Sequence, residues 1–167
     1  MNEQTQNQEC CPEFNPEKWD DKTIVWDKRK FVTDSMPALF HIPYPPLIGK
    51  KITRMWKAIE ASGSAETDKT DTLVLFHDPS AFRSDILISV EKEVPDEKNI
   101  SLSGTFISRT FDGGYNSVPV FIKIMDNYLA EKGHKAKDYY VHYAYCPKCA
   151  KKFGHNYMIL FAELGNN

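Results

Sequence analysis

The 167 residues fit one ordinary domain, long enough to bury most of its apolar surface around a single core, and 41% hydrophobic with 26% charged residues is the composition of a soluble globular protein. A net charge of -2, with basic residues scattered among acidic ones, supplies no long-range attraction to phosphate and argues against nucleic acid as a direct partner. No apolar run approaches the roughly 18 residues of a membrane span, and MNEQTQNQECC has no basic segment leading into an apolar core, so the expected setting is the reducing cytoplasm.

Residues 1–9 are polar and read as a disordered tail, leaving 10–167 as a single domain. CCPEFNPEKWDDK, with its prolines and Trp19, reads as an ordered arm lying on that domain. Strand candidates follow at Thr23 to Trp26 and from Phe31 to Ile42, where Pro37 signals an edge or a bulge. The prolines at 43, 45 and 46 force a turn. Ile48, Ile52, Met55 and Ile59 then recur at helical spacing up to Gly63. Two strands, Thr72 to His77 and Asp85 to Glu93, form a hairpin around DPSAFRSD before PDEKN breaks the chain.

The same order returns. A strand at Ser103 to Phe111 and the DGGYNS turn precede a helix marked by Val118, Ile122, Met125, Leu129 and Gly133, each 70 residues after its counterpart in the first helix. Strands at Tyr139 to Tyr145 and Tyr157 to Leu164 complete a second copy, so repeat one spans about 23–94 and repeat two about 100–164. Two such copies imply an α+β domain with an antiparallel sheet and a pseudo-twofold axis.

On the last strand Met158, Leu160, Ala162 and Leu164 form an apolar set suited to the helices. Tyr157, Ile159, Phe161 and Glu163 form the other set, apolar with one carboxylate, which suits a ligand groove. Glu91 is the repeat-related acid, but inside the run EKE it reads as a solvated strand end. Tyr139, Tyr143 and Tyr145 make an aromatic ladder; strand propensity alone would enrich tyrosines there. Trp56 lies off the main helix stripe, Tyr115 follows the glycine turn, and His41, His77 and His142 read as satisfied core histidines.

Cys146 and Cys149, in CPKC, have the spacing of half a zinc knuckle. Further ligands would come from Cys10 or Cys11 on the arm and from His155, so a structural zinc would tether the arm; free thiols and a disulfide are the alternatives. A redox role is disfavoured by the expected position of the motif in a hairpin turn. Gly-x-Ser-x-Gly, phosphate-loop and His-Glu-x-x-His motifs are all missing from the sequence.

The duplicated order, FDGGY at 111–115 and a glutamate on the final strand resemble the GyrI-like small-molecule-binding domain. CCPEFNPEKWD, FHIP at 40–43 and YCPKCAKKFGHNY at 145–157 resemble its stand-alone bacterial hydrolase-like branch. FDGGY departs from the commoner Phe-Glu-Gly-Pro-Tyr form, which implies a looser turn. The resemblance implies a curved sheet with both helices on one face and a ligand groove between the repeats on the other. That groove would take a bulky planar or cationic small molecule for sequestration or sensing. Glu163 would be the counter-charge, with Phe161, Tyr157, Tyr139, Tyr143, Tyr145, Trp56, Tyr115 and His41 as walls or rim. The alternatives it implies are a hydrolase of cyclopropane-type electrophiles, with Glu163 as general base or orienting water and Tyr143 or Tyr145 as hydrogen-bond donor, and a protein-interaction module of the gyrase-protecting kind. No cofactor is required by any of these.

Overall fold

The computed structural model describes residues 11–165; the expected tail and Cys10 lie outside the described residues. The arm passes through a 3-10 turn at Pro16–Lys18, capped by the Asn15 side chain, and enters β1 (Lys22–Leu39). Where the sequence suggests two strands, β1 is continuous. A bulge between Trp26 and Arg29, with Lys28 at φ 52°, absorbs the polar interruption. Pro37 is tolerated because it falls beyond Val32, where β1 has parted from β5 and pairs with β4.

A short β2 (Ile42–Pro43) leads to α1 (Pro45–Ala61), whose first turn accepts both Pro45 and Pro46 because the N–H groups they lack have no helical partner there. Then follow β3 (Val74–Ser80), β4 (Arg83–Ser89), β5 (Asn99–Asp112), α2 (Val118–Glu131), β6 (Ala136–Tyr143), α3 (Pro147–Phe153) and β7 (Tyr157–Leu164). Strand, helix, strand, strand thus occurs twice. In place of the expected turn, α3 fills the β6–β7 connection, with Pro147 in its first turn and Gly154, at φ 72°, ending it. No described helix is long and apolar enough to cross a membrane.

The antiparallel sheet runs β2-β1-β4-β3-β6-β7-β5, and β5 also pairs with β1, so six strands close into a ring with β2 appended. The halves meet at β1–β5 and at the brief β3–β6 seam, where Leu75 faces His142 and Phe76 faces Val141. Both long helices lie on the outer face. Met55 and Ile59 of α1 pack on Val32, Ile86 and Ile88, while Met125 and Leu129 of α2 pack on Ile107, Met158 and Leu160. The expected alternation on β7 holds, since Ile159 and Phe161 point inward. There they join Trp19 from the arm, Trp26, Phe31, Leu87, Phe106 and Tyr140 in a buried cluster. Burying each large apolar side chain of this kind contributes about 1.5–3 kcal/mol, so the inner face is a second core through its middle.

Asp34 pins α1 to β1 by accepting from Lys51 and Arg54, each at 3.0 Å, and Arg54 reaches on to Glu97 at 2.7 Å. At the FDGGY turn, a side chain at Gly113 would come within 2.8 Å of the Phe121 ring, which stacks on Phe111 at 4.6 Å. Glycine is required there by close approach. Gly113→Ala should therefore destabilise the fold by about 1–2 kcal/mol through forced displacement of that ring pair, measured as a lower urea midpoint at unchanged slope; an unchanged midpoint would remove the constraint.

Candidate functional site

One end of the ring is acidic, and strand register explains why. Inner-face positions continue from strand to strand: Ser35 opposite Asp85, Asp85 opposite His77, Asp138 opposite Glu163, and Glu163 opposite Phe106. Asp85 is held by both Nε and Nη2 of Arg83 at 2.9 Å and by the Ser35 hydroxyl at 2.6 Å. Burial acts to raise its pKa, but these donors outweigh burial and hold it below the ordinary carboxylate value. Asp138 bonds His77 Nε2 at 2.6 Å across the β3–β6 seam. The His77 ring stacks on buried Tyr140 with centroids 4.7 Å apart.

Tyr140 lies one step inside this rim. Burial first, then the nearby carboxylates of Glu163, Asp138 and Asp85, push its pKa up to about 12. It therefore stays a hydrogen-bond donor across the physiological range. Glu163, with its side chain 18% exposed, has the Lys137 ammonium 3.6 Å away, on a side chain that is 67% exposed. An ion pair of that kind contributes on the order of 0–1 kcal/mol and is readily exchanged.

The remaining expected groove residues disperse. Phe161 shares Glu163's face but is fully buried beneath the rim, 5.4 Å from the Trp26 ring. Tyr157 stands at the opposite end of β7 beside Phe14 and His155, and buried Tyr145 stacks on Phe153 there. Tyr139 and Tyr143 pair with Ala162 and Met158 and so occupy the outer, helix-covered face. They do not wall the groove face, and Tyr143 is not beside Glu163. Tyr143 instead contacts Phe76 at 5.4 Å and Tyr115 at 4.7 Å, with Trp56 packed nearby in the α1 cluster, also outside the ring. His41 is an exposed turn residue, Nδ1 3.6 Å from Asp78, rather than a core histidine. Glu91 is exposed and accepts from the Thr67 amide and hydroxyl, in keeping with its reading as a solvated strand end.

The thiols of Cys11, Cys146 and Cys149 gather within 4.8 Å of one another and could hold a metal ion. His155, expected among the ligands, is not in this group: the left-handed turn at Gly154 carries it to Asp112, which it meets at 2.8 Å through Nδ1. Cys146 is the residue capping α3, so the CPKC motif opens a short helix rather than forming a bare turn. A separate open cavity of 480 Å³ beside Arg29, Glu66 and Glu91 lies away from both features, and its Arg29 is already paired with Glu66 at 3.3 Å.

A family described as Bacterial hydrolase matches residues 1–164. The chain belongs to this bacterial hydrolase family. No curated protein matches it. Among solved structures, an uncharacterized conserved protein from Listeria innocua shares the fold at 10% identity and TM-score 0.65, over 87% of this chain and 92% of that one. The EcmrR C-terminal domain matches at 10% identity and TM-score 0.66, over 89% and 99%. SAV2435, solved bound to tetraphenylphosphonium, matches at 9% identity and TM-score 0.55, over 88% and 94%. At these identities the likeness is one of fold.

Beside Glu163, which the sequence singles out, the structure places Tyr140, Asp138 and Asp85, which it does not, and His77, read there as a core histidine. Their signal was register: the residue opposite Glu163 on β6 is Asp138, which puts Tyr140 inside and Tyr139 outside. His142 also faces inward, opposite Ile159, where its Nδ1 lies 3.1 Å from the Val74 N–H and burial pushes its pKa from 6.5 down to about 4. The folded value lies below the unfolded one, so the unfolded chain takes up this proton first. The contribution of neutral His142 to stability is present above about pH 6.5 and is lost progressively as pH falls toward 4. NMR titration should place the His142 midpoint near 4, with the urea midpoint declining through the same window; a midpoint near 6.5 would refute the burial.

Proposed function

We propose that the chain binds a bulky planar or cationic small molecule at the acidic end of the ring, as a sequestering or sensing module of the GyrI-like type. The observation that carries this reading is the gathering of Glu163, Asp138 and Asp85 on the inner face around Tyr140, where among the described residues the exposed Lys137 lies beside Glu163. A ligand's positive charge would displace Lys137 from Glu163. Its flat portion would meet Tyr140 and His77 at the rim, a contact worth about 0.5–2 kcal/mol per ring for a cation. SAV2435, bound to a lipophilic cation, lends support through its shared fold. The mouth needs no cofactor; a structural zinc would belong to the thiol cluster.

One observation favours a second reading as a hydrolase of strained electrophiles. The Asp138–His77 hydrogen bond, stacked on Tyr140, sets a proton acceptor and a hydroxyl donor on Glu163's side of the ring. Glu163 would then orient or deprotonate water, and Tyr140, in place of Tyr143, would donate to the leaving oxygen.

Glu163→Gln should weaken binding of a cationic dye about tenfold, equivalent to about 1.4 kcal/mol, in a titration followed by tryptophan fluorescence. Unchanged affinity would take Glu163 out of the ligand site. If the wild type also consumes a cyclopropane-bearing electrophile while Glu163→Gln binds it without turnover, the hydrolase reading replaces simple sequestration.

A further inference from the structure

The three thiols at the other end of the ring come from distant parts of the chain. Cys146 and Cys149 are neighbours on α3, the first as its cap and the second within its opening turn, whereas Cys11 arrives from the arm, 135 positions earlier. The Cys146 amide donates to Cys11 Sγ at 3.3 Å, the kind of contact that stabilises a thiolate ligand. All three sulfurs fall within 4.8 Å of one another and Cys149 is only 4% exposed. Zinc bound to thiolates at about 2.3 Å in a tetrahedron holds sulfurs about 3.8 Å apart, so a small contraction of this cluster suffices.

The arm beyond Cys11 seals that end of the ring. The Phe14 N–H donates to the Tyr145 hydroxyl at 2.9 Å, and the Trp19 carbonyl accepts from the Ser108 hydroxyl at 2.7 Å. The Trp19 ring enters the inner cluster edge-on to Phe161, with centroids 5.8 Å apart. Among the described residues of the arm Trp19 is the buried side chain, with Phe14 partly buried against the same cluster, and Cys11 lies at the start of this described stretch.

We propose that Cys11, Cys146 and Cys149 bind a zinc ion that clamps the arm against α3 and keeps Trp19 seated in the ring. The three described donors are all sulfur, which suits zinc and other thiophilic ions and disfavours magnesium or calcium. The fourth tetrahedral position goes to a donor outside these three residues. This site stands apart from the acidic mouth and does not depend on what binds there.

The test uses the full chain purified without chelator. Elemental analysis by mass spectrometry should find one zinc per chain, falling to a small fraction in both Cys11→Ser and Cys149→Ser, while Glu163→Gln retains its zinc. Cys11→Ser alters only the arm, so circular dichroism should show its ring still folded. Stripping zinc from the wild type with a strong chelator should accelerate tryptic cleavage at Lys18 at least severalfold and shift tryptophan emission to the red, with both effects reversed by zinc alone. Substoichiometric zinc in the wild type, full zinc in Cys11→Ser, or a disulfide in the intact mass would overturn the site. Stoichiometric zinc whose removal leaves Lys18 cleavage unchanged would overturn the clamp.

Discussion

Closure of the ring by β1 is the constraint on which the other features rest. One long strand pairs with β4 through its second half and with β5 through its first, and the overlap at Phe31 and Val32 joins the repeats into a single circuit. Closure removes the two free edges that an open sheet of this size would expose to aggregation. It also brings the inner faces of both repeats around a common volume, which has to be filled with side chains or left to a ligand. Trp26, on the strand that closes the ring, lies 4.4 Å from Phe106 and 5.9 Å from Phe31, and Trp19 enters from the arm. The protein's own aromatic rings occupy the middle of the volume, so polar chemistry is confined to its ends.

Those ends have opposite characters because β7 runs from one to the other. Tyr157 begins it beside the arm and the α3 cysteines, and Glu163 stands near its far end, six residues or about 20 Å away at strand rise. The carboxylate and the cysteines, close together in sequence, therefore lie toward opposite ends of the ring. Closing the arm end with a hydrogen-bonded and ring-packed strap leaves the acidic end as the place where charge meets solvent.

Much of the fold was legible because it repeats: the 70-residue offset and the alternation on β7 need only side-chain periodicity. What was hidden depends on pairing partners. The unbroken course of β1 is invisible because a bulge at Lys28 reads locally as a polar break between two strands. Tyr139 and Tyr140 are adjacent tyrosines, and only the register between β6 and β7 decides which of them faces inward; a one-residue difference inverts the set. With α3 in the connection, turn length could not supply that register. The same helix hides the place of His155, since linear spacing after Cys149 cannot reveal that Gly154 turns the chain toward Asp112. Cys11, by contrast, was reachable from composition, because CPKC lacks enough donors of its own for a tetrahedral site.

Among the three carboxylates at the mouth, the difference between Asp85 and Glu163 settles which is free to take a new partner. Asp85 accepts two hydrogen bonds from a single guanidinium and a third from Ser35, a geometry that fixes its charge and its orientation together. Asp138 is committed to His77 across the seam and so links the two repeats. Among the described residues Glu163 meets the Lys137 ammonium at 3.6 Å, on a largely exposed side chain, and such a pair is weak and readily exchanged. Asp85 and Asp138 are thus held in orientation by their partners, whereas Glu163 has the loosest contact of the three, so the rim combines a rigid part with a carboxylate whose charge is less firmly paired.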